Sequence, residues 1–242
     1  ALYDDKGAYG VAGQLGDEPD VRALLRRAIA DGGRPGELPQ LVLLHASPGL
    51  EEAMLAGIDA AVDAGLTPLS VNCVVIRGVN DGEVVDFARR AREGGSAGRF
   101  TEHMPLEHGR RWSEDALVPG HELRARIEER YPLVPAADQD PRAPSRDWHF
   151  ADGAPGVIGF IDSVTAPFCS TCNRIRLTAD GKLRTCLFSL REHDLLGPMR
   201  AGASDADVAG LLRAAVATKE RKHHITDGLF VKPERTMSQI GG

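Results

Sequence analysis

Apolar residues along the chain form short runs, separated by longer stretches in which apolar and polar residues recur with a helical period. The short runs are typical of buried or half-buried strands, and they predict strands at 40–46, 69–76, 99–103 and 157–163. The periodic stretches predict helices at 20–31, 50–64, 81–92, 119–131 and 205–218. Strands that alternate with helices at this spacing indicate parallel βα units, so the expected fold class is α/β.

A β-hairpin is predicted in the last third of the chain. Asp180-Gly181 is a strong signal for a two-residue turn. It places the two strands at 174–178 and 183–187, with Ile175 opposite Cys186. The hairpin therefore returns the chain to the neighbourhood of residue 172.

Two arginines are expected to share one face of this hairpin. Alternate residues of a strand point to the same side, so Arg174 and Arg176 should lie together while Ile175 and Leu177 point into the core. The surrounding stretch is locally basic, although the whole chain has a net charge of −6. A cationic pocket in an acidic protein suits a small anionic ligand better than a nucleic acid.

The remaining composition is that of an ordinary globular protein. Hydrophobic residues make up 42% and charged residues 26% of the 242 residues. There is no run of 18 apolar residues and no signal-peptide pattern, so neither a membrane span nor secretion is expected. The expected location is the cytoplasm.

Three of the four cysteines lie within 18 residues, in the pattern Cys169-x2-Cys172-x13-Cys186. Clustered cysteines in an intracellular protein favour a metal site over disulfides. A structural zinc site would need a fourth ligand, for which His193 and Cys73 are candidates. Cys73 lies in an apolar strand, where a buried thiol is the simpler interpretation. An iron–sulfur cluster held by three thiolates is favoured, and zinc remains the alternative.

These residues also belong to a longer motif. The segment PFCSTCNRIRLTADGKLRTCLF (167–188) resembles the C-terminal cluster motif of the GTP 3′,8-cyclases, radical S-adenosylmethionine enzymes of molybdenum cofactor biosynthesis. MSQIGG (237–242) is similar to the family's terminal double glycine. AGIDAAVDAGL, VNCVVIRGVND, RFTEHMPL and IGFIDSVTAPFC follow the family's order, so the resemblance runs from about residue 49 to 242.

The resemblance implies a function and a set of site residues. The family carries out the radical cyclisation of GTP to (8S)-3′,8-cyclo-7,8-dihydroguanosine 5′-triphosphate, and the enzyme is a lyase. By resemblance, a 4Fe-4S cluster is held by Cys169, Cys172 and Cys186, and GTP is bound by Arg174 and Arg176. The resemblance further assigns S-adenosyl-L-methionine binding to Arg99 and Met104, and a catalytic role to Gly241 and Gly242.

The resemblance also implies an architecture and partners. The expected fold is a partial TIM-type βα barrel followed by a small α+β iron–sulfur region. The expected divisions are an unmatched segment at 1–48, the partial barrel at 49–131, a proline-rich linker at 132–147 and the GTP- and cluster-binding region at 148–242. The expected partners are GTP, the cyclic pyranopterin monophosphate synthase that acts next, and a second copy in a homodimer.

The sequence departs from the family in several respects: the early strands of the barrel are lacking, residues 1–48 do not match, and two site motifs differ. The CxxxCxxC motif that holds the family's first cluster is absent, since only Cys73 precedes Cys169, and Ser70 stands where a substrate-binding lysine is expected. Activity of this chain by itself is therefore not expected. The alternatives are a non-catalytic GTP-binding iron–sulfur module, another radical enzyme that acts on a peptide, and a zinc-stabilised structural domain.

Two further groups of polar residues are given structural interpretations. His223 and His224 follow a predicted helix within a basic run, and a solvated helix end is the expected role. Glu102 and His103 lie at the end of the strand predicted at 99–103 and are expected to line the pocket.

Overall fold

The computed structural model describes residues 3–4, 7–8, 51–66, 68–106, 112–226, 228, 230–235 and 237–240. The predicted helix at 20–31 and the predicted strand at 40–46 lie outside these residues. The chain forms two compact units, 1–69 and 70–242. Among the described residues, no helix combines the length and the apolar character needed to cross a membrane.

The first unit has few described elements. Strands β1 (Tyr3–Asp4) and β2 (Gly7–Ala8) pair antiparallel. Helix α1 (Glu51–Asp63) agrees with the helix predicted at 50–64. Ala60 and Ala61 of this helix are buried, and Leu66 and Leu69 pack against them.

The second unit is built on a five-stranded mixed sheet. Its strands are β3 (Ser70–Val75), β4 (Ala97–Glu102), β5 (Leu133–Pro135), β6 (Arg146–Phe150) and β7 (Val157–Ile161). The order in the sheet is β3-β4-β7-β6-β5. Strands β3, β4 and β7 are parallel, whereas β6 pairs antiparallel with both β7 and β5. The expected α/β class is confirmed as a mixed α/β fold.

Two helices cover one face of the sheet and close its core. Helix α2 (Val84–Gly94) follows a 3-10 turn at Asp81–Glu83, and α3 (Gly120–Glu128) follows Pro119. The phenyl rings of Phe87, Phe100 and Phe160 contact one another in series, with centroids 4.9 and 5.9 Å apart. These rings join a buried cluster that includes Val75, Val84, Ala88, Leu123, Ile127 and Ile158.

The proline-rich stretch 132–147, expected as a linker, contains β5 and the start of β6. Pro135 pairs with Trp148 in the last strand of the sheet order. An edge strand tolerates proline because one side of it needs no ladder hydrogen bonds. The structure therefore shows that this stretch contributes strands to the sheet. The domain boundaries expected from the sequence stay a prediction.

A small antiparallel sheet and two helices complete the second unit. The sheet has the order β10-β9-β8 and consists of β8 (Arg176–Leu177), β9 (Lys182–Arg184) and β10 (His193–Asp194). The helices are α4 (Leu196–Arg200) and α5 (Asp205–Ala217). Helix α5 begins at a capping box formed by Ser204 and Asp207, and Ala215 on it packs with the buried Leu183 and Leu195.

The predicted hairpin forms, but its register differs by one residue from the expectation. Arg176 pairs with Arg184 and Leu177 with Leu183, so the loop has three residues instead of two. The cause is Gly181, whose φ of 75° places it in the left-handed region. This is the conformation of a three-residue hairpin loop that ends in a glycine bulge.

The expected inward orientation of Ile175 and Leu177 is wrong. Their side chains are 45% and 60% exposed. The buried face of this segment is the one that carries Arg174, Arg176 and Thr178. Two arginines can occupy the buried face because it borders an open cavity instead of the packed apolar core.

Candidate metal centre

Cys169, Cys172 and Cys186 line a single cavity in the second unit. All three are free thiols of intermediate exposure. The cavity has a volume of about 210 Å³. Its other lining residues are Met104, Pro144, Ile161, Ser163, Pro167, Phe168, Arg174, Arg176, Leu187, Phe188, Lys219, His223 and Met237.

Local backbone structure brings the three cysteines to this cavity. Cys169 begins a 3-10 turn, and the backbone N–H of Cys172 donates to the Cys169 carbonyl at 3.2 Å. The hairpin formed by β8 and β9 then reverses the chain and returns Cys186 to the same wall. Two cysteines from one turn and a third from just after β9 are therefore presented together.

The three thiols fit an iron–sulfur cluster better than a single metal ion. A structural zinc site is normally closed by four ligands, whereas an iron–sulfur cluster can be held by three thiolates and keep one iron open. The three cysteines that line the cavity therefore suit a cluster.

Neither candidate for a fourth zinc ligand lines the cavity. His193 lies in β10, with Nε2 3.2 Å from the Thr218 hydroxyl. Cys73 lies in β3, where its Sγ is 3.8 Å from the Asn80 amide nitrogen. Burial and the nearby Glu83 raise the pKa of the Cys73 thiol to about 11, so it stays protonated. His223 does line the cavity, but both of its ring nitrogens are engaged with backbone groups. The three thiols are therefore the donor set that we consider, and they would leave one iron of a cluster open to another ligand.

Positive groups surround Cys172. Burial alone would raise the pKa of its thiol, but the Arg174 backbone N–H, the Lys219 ammonium and the Arg174 guanidinium together lower it. The Arg174 Nη1 lies 3.6 Å from the Cys172 Sγ. For Cys186, burial raises the pKa despite a hydrogen bond from the Phe188 backbone. The surroundings therefore favour the thiolate at Cys172, whereas burial disfavours it at Cys186.

The two arginines predicted to act together do lie on the same cavity wall. Arg174 is held in place by its Nη2, which donates to the Arg142 carbonyl at 2.9 Å, and by the Phe168 ring 5.1 Å from its guanidinium carbon. Arg176 is partly buried, and burial lowers its pKa. Two guanidinium groups beside three thiols form a surface for an anionic or planar ligand.

Lys219 is a cavity residue that the sequence pattern did not indicate. Its ammonium donates to the Arg174 carbonyl at 2.9 Å and to the Thr185 carbonyl. It therefore ties the segment after Cys172 to the segment before Cys186. Its partners are 45 and 34 residues away in the chain, and no local pattern reveals such contacts.

The interpretation of His223 as part of a solvated helix end is wrong. Helix α5 ends at Ala217, and His223 is only 9% exposed and lines the cavity. Its Nδ1 accepts from the Ile225 N–H at 3.4 Å, which leaves Nε2 to donate to the Ser163 carbonyl at 2.7 Å. His223 thus joins the end of β7 to the segment that follows α5.

Comparison with known proteins places this cavity in a family. Residues 97–225, which include 15 of the 16 residues that line the cavity, match the family described as Molybdenum Cofactor Synthesis C. The chain belongs to this family. The matched range begins at β4 and ends just beyond His223, and Met237 is the lining residue that lies outside it.

Curated relatives of this Molybdenum Cofactor Synthesis C chain carry the name GTP 3′,8-cyclase. The protein from Moorella thermoacetica is 46% identical over 186 residues, which cover 77% of this chain and 56% of the relative. The protein from Corynebacterium glutamicum is 44% identical over 193 residues, 78% of this chain and 51% of the relative. The protein from Streptomyces coelicolor is 40% identical over 190 residues, 78% of this chain and 55% of the relative. The chain spans about half the length of these relatives.

The other predicted site residues of this family member lie in different places. Met104 lines the cavity with the cysteines. Arg99 lies on β4, with its Nη1 3.4 Å from the Ser70 hydroxyl, and is not among the residues that line the cavity. Gly241 and Gly242 lie outside the described residues.

Glu102 and His103, expected to line a pocket, are not among the residues that line this cavity. Glu102 is 2% exposed, and its Oε2 accepts from the backbone N–H groups of Val164 and Thr165 at 2.6 and 2.9 Å. The Thr165 hydroxyl donates to the other carboxylate oxygen. Glu102 therefore fixes the loop that leads from β7 to Cys169, one step behind the cavity.

Proposed function

We propose that this chain holds a 4Fe-4S cluster through Cys169, Cys172 and Cys186 and binds GTP beside it, as the substrate-binding part of a GTP 3′,8-cyclase in molybdenum cofactor biosynthesis. The observation that carries the proposal is the shared cavity, in which three free thiols stand with Arg174, Arg176 and Lys219. The family match and the names of the relatives support the choice of pathway. The mixed sheet is interpreted as part of a βα barrel.

Each cavity residue has a role in this proposal. The cluster, once bound, supplies an iron that is free to coordinate the substrate. Arg174 and Arg176 bind and orient the nucleotide, because the planar guanidinium fork matches both phosphate oxygens and the edge of a base. Lys219 adds positive charge and holds the two cysteine-bearing segments together. The apolar side chains of Ile161 and Leu187 exclude water from the cavity.

The proposal includes the residues assigned by resemblance alone. Arg99 and Met104 contribute to an S-adenosyl-L-methionine site, and Gly241 and Gly242 support the radical step. Ser70, where a lysine is expected, leaves Arg174, Arg176 and Lys219 as the main phosphate ligands. The product passes to a cyclic pyranopterin monophosphate synthase.

The test is anaerobic reconstitution with iron and sulfide, followed by EPR of the reduced protein with and without GTP. We expect about four irons per chain and a signal that shifts when GTP is added. Cys172→Ser should lose most of the iron. Cys73→Ser is the matched control, because Cys73 is a free cysteine that does not line the cavity, and it should keep the cluster. Equal loss of iron in both variants, or bound zinc in the wild-type protein, would refute the proposal.

A second candidate is a GTP-binding iron–sulfur module without catalytic activity. Ser70 favours it, because the resemblance places a substrate-binding lysine at this position. Both candidates predict the same cluster and the same GTP-dependent shift. Adding the N-terminal half of a relative in trans distinguishes them, since only a cyclase would then form product.

A further inference from the structure

The end of the chain passes over the hairpin and then reaches the cavity. We define the C-terminal strap as residues 230–235 and 237–240. Met237 lines the cavity, and its backbone N–H donates to the Leu106 carbonyl at 3.3 Å. Ile240 is completely buried, and its N–H donates to the Met237 carbonyl at 3.2 Å. The strap is therefore part of the cavity wall in this structure.

One side chain connects the strap to the hairpin region. Arg235, two residues before Met237, donates through Nη2 to Asp180 Oδ2 at 2.7 Å and to Glu192 Oε2 at 3.0 Å. Its Nε lies 2.7 Å from Glu192 Oε1. Asp180 belongs to the β8–β9 loop and Glu192 precedes β10, so a single guanidinium binds two separate segments.

The two carboxylates are held in place by groups that do not belong to the strap. Asp180 accepts from the Thr178 hydroxyl at 2.6 Å. Glu192 accepts from Arg184 Nη1 at 2.7 Å, and the Arg184 side chain is only 3% exposed. Both carboxylates are therefore already positioned without Arg235. Its planar guanidinium can bind the two of them with little further loss of side-chain entropy.

We infer that Arg235 is the positioning residue that holds the C-terminal strap on the cavity. Without Arg235, the strap would lose the ion pairs that fix the segment immediately before Met237 and Ile240. The link to substrate rests on the proposed function: a displaced strap opens the cavity to water beside Arg174 and Arg176 and weakens GTP binding. Arg235 itself does not line the cavity, so it acts through the strap.

Hydrogen exchange measured by mass spectrometry tests the position of the strap without GTP or cluster. In the full chain, Arg235→Gln should raise the exchange rate of the Met237 and Ile240 amides about tenfold or more, while β4 and β7 keep their protection. Arg235→Lys should recover part of the protection. Arg213→Gln, an exposed arginine on α5, is the matched control and should change nothing. Unchanged exchange at Met237 and Ile240 in Arg235→Gln would overturn the inference.

A second variant and a second measurement cover the other outcomes. If Arg235→Gln does not fold, Asp180→Asn removes only one of the two acids and should raise strap exchange to an intermediate degree; no change there also overturns the inference. In reconstituted protein, Arg235→Gln should weaken GTP binding about tenfold with the iron content and the EPR signal intact. If wild-type protein does not bind GTP, the proposed function fails, but the exchange result still decides the role of Arg235.

Discussion

The buried Glu102 offers a sharp test of how the cavity is supported. Its carboxylate accepts three hydrogen bonds from the loop of Val164 and Thr165, four residues before Cys169. Val164 and Glu102 are each only 2% exposed, so water cannot easily replace a lost acceptor. Glu102→Ala removes the acceptor, whereas Glu102→Gln keeps its shape.

The expected magnitudes follow from the number of donors left without a partner. In Glu102→Ala, two backbone N–H groups lose their acceptor, and each unsatisfied buried group costs about 1–3 kcal/mol. The Thr165 hydroxyl can rotate to another partner, so we expect a loss of about 4 kcal/mol in the free energy of unfolding. In Glu102→Gln, the amide oxygen can keep both N–H bonds and the amide NH₂ can donate to the Thr165 hydroxyl. The loss there should be about 1 kcal/mol.

Urea denaturation of the two variants and the wild-type protein measures this difference. Iron content after reconstitution gives a second readout, since a loosened loop should reduce cluster retention in Glu102→Ala more than in Glu102→Gln. The reasoning would be refuted if both substitutions cost the same, or if Glu102→Ala cost less than about 1 kcal/mol. Either result would mean that the loop finds other acceptors.

Two further predictions concern the hairpin and the sheet. Gly181→Ala should lower the free energy of unfolding, measured by urea denaturation, by about 2 kcal/mol, because Gly181 has a positive φ and a Cβ there would overlap the Leu196 side chain. Gly202→Ala is the control: Gly202 has a similar φ but open space around it, so this substitution measures the backbone strain alone and should cost less. Equal losses in the two variants would contradict the overlap with Leu196. Arg77 and Arg126 lower the pKa of Glu122 to about 2. The contribution of Glu122 to the free energy of unfolding is therefore fully present above its unfolded pKa of about 4.3, and it is lost as the pH falls towards 2. The difference in unfolding free energy between wild-type protein and Glu122→Gln should therefore shrink over that range, and a constant difference would contradict the ion pairs.

The sequence predicted the elements of the sheet well because their burial is visible in the local pattern. Strands β3, β4 and β7 begin and end within about two residues of the predicted runs. The antiparallel strands β5 and β6 were missed, since they have only three and five residues, and runs this short carry little periodicity. The hairpin was located correctly from Asp180-Gly181, but its register was not, because a dipeptide cannot show whether its glycine closes a two-residue or a three-residue loop.

The thiols and arginines of the candidate site could be proposed from spacing and resemblance, whereas the residues that support them could not. Lys219, His223 and Glu102 act through contacts with backbone groups 34 to 63 residues away. Such contacts depend on the tertiary fold and leave no local signature. His223 shows this most clearly: its basic neighbours suggested a solvent-exposed residue, yet its ring lies between the Ser163 carbonyl and the Phe188 ring.

The supporting contacts have a consequence for how the cavity is organised. Lys219 holds the carbonyls of Arg174 and Thr185, His223 holds that of Ser163, and Glu102 holds the loop before Cys169. None of these contacts uses a thiol. The three cysteines are therefore brought to one wall by the protein itself, with positive charge at Cys172 that favours the thiolate. A cluster would bind to a wall that is already assembled. For this reason, Cys172→Ser and the wild-type protein, both measured without a cluster, should have nearly the same free energy of unfolding.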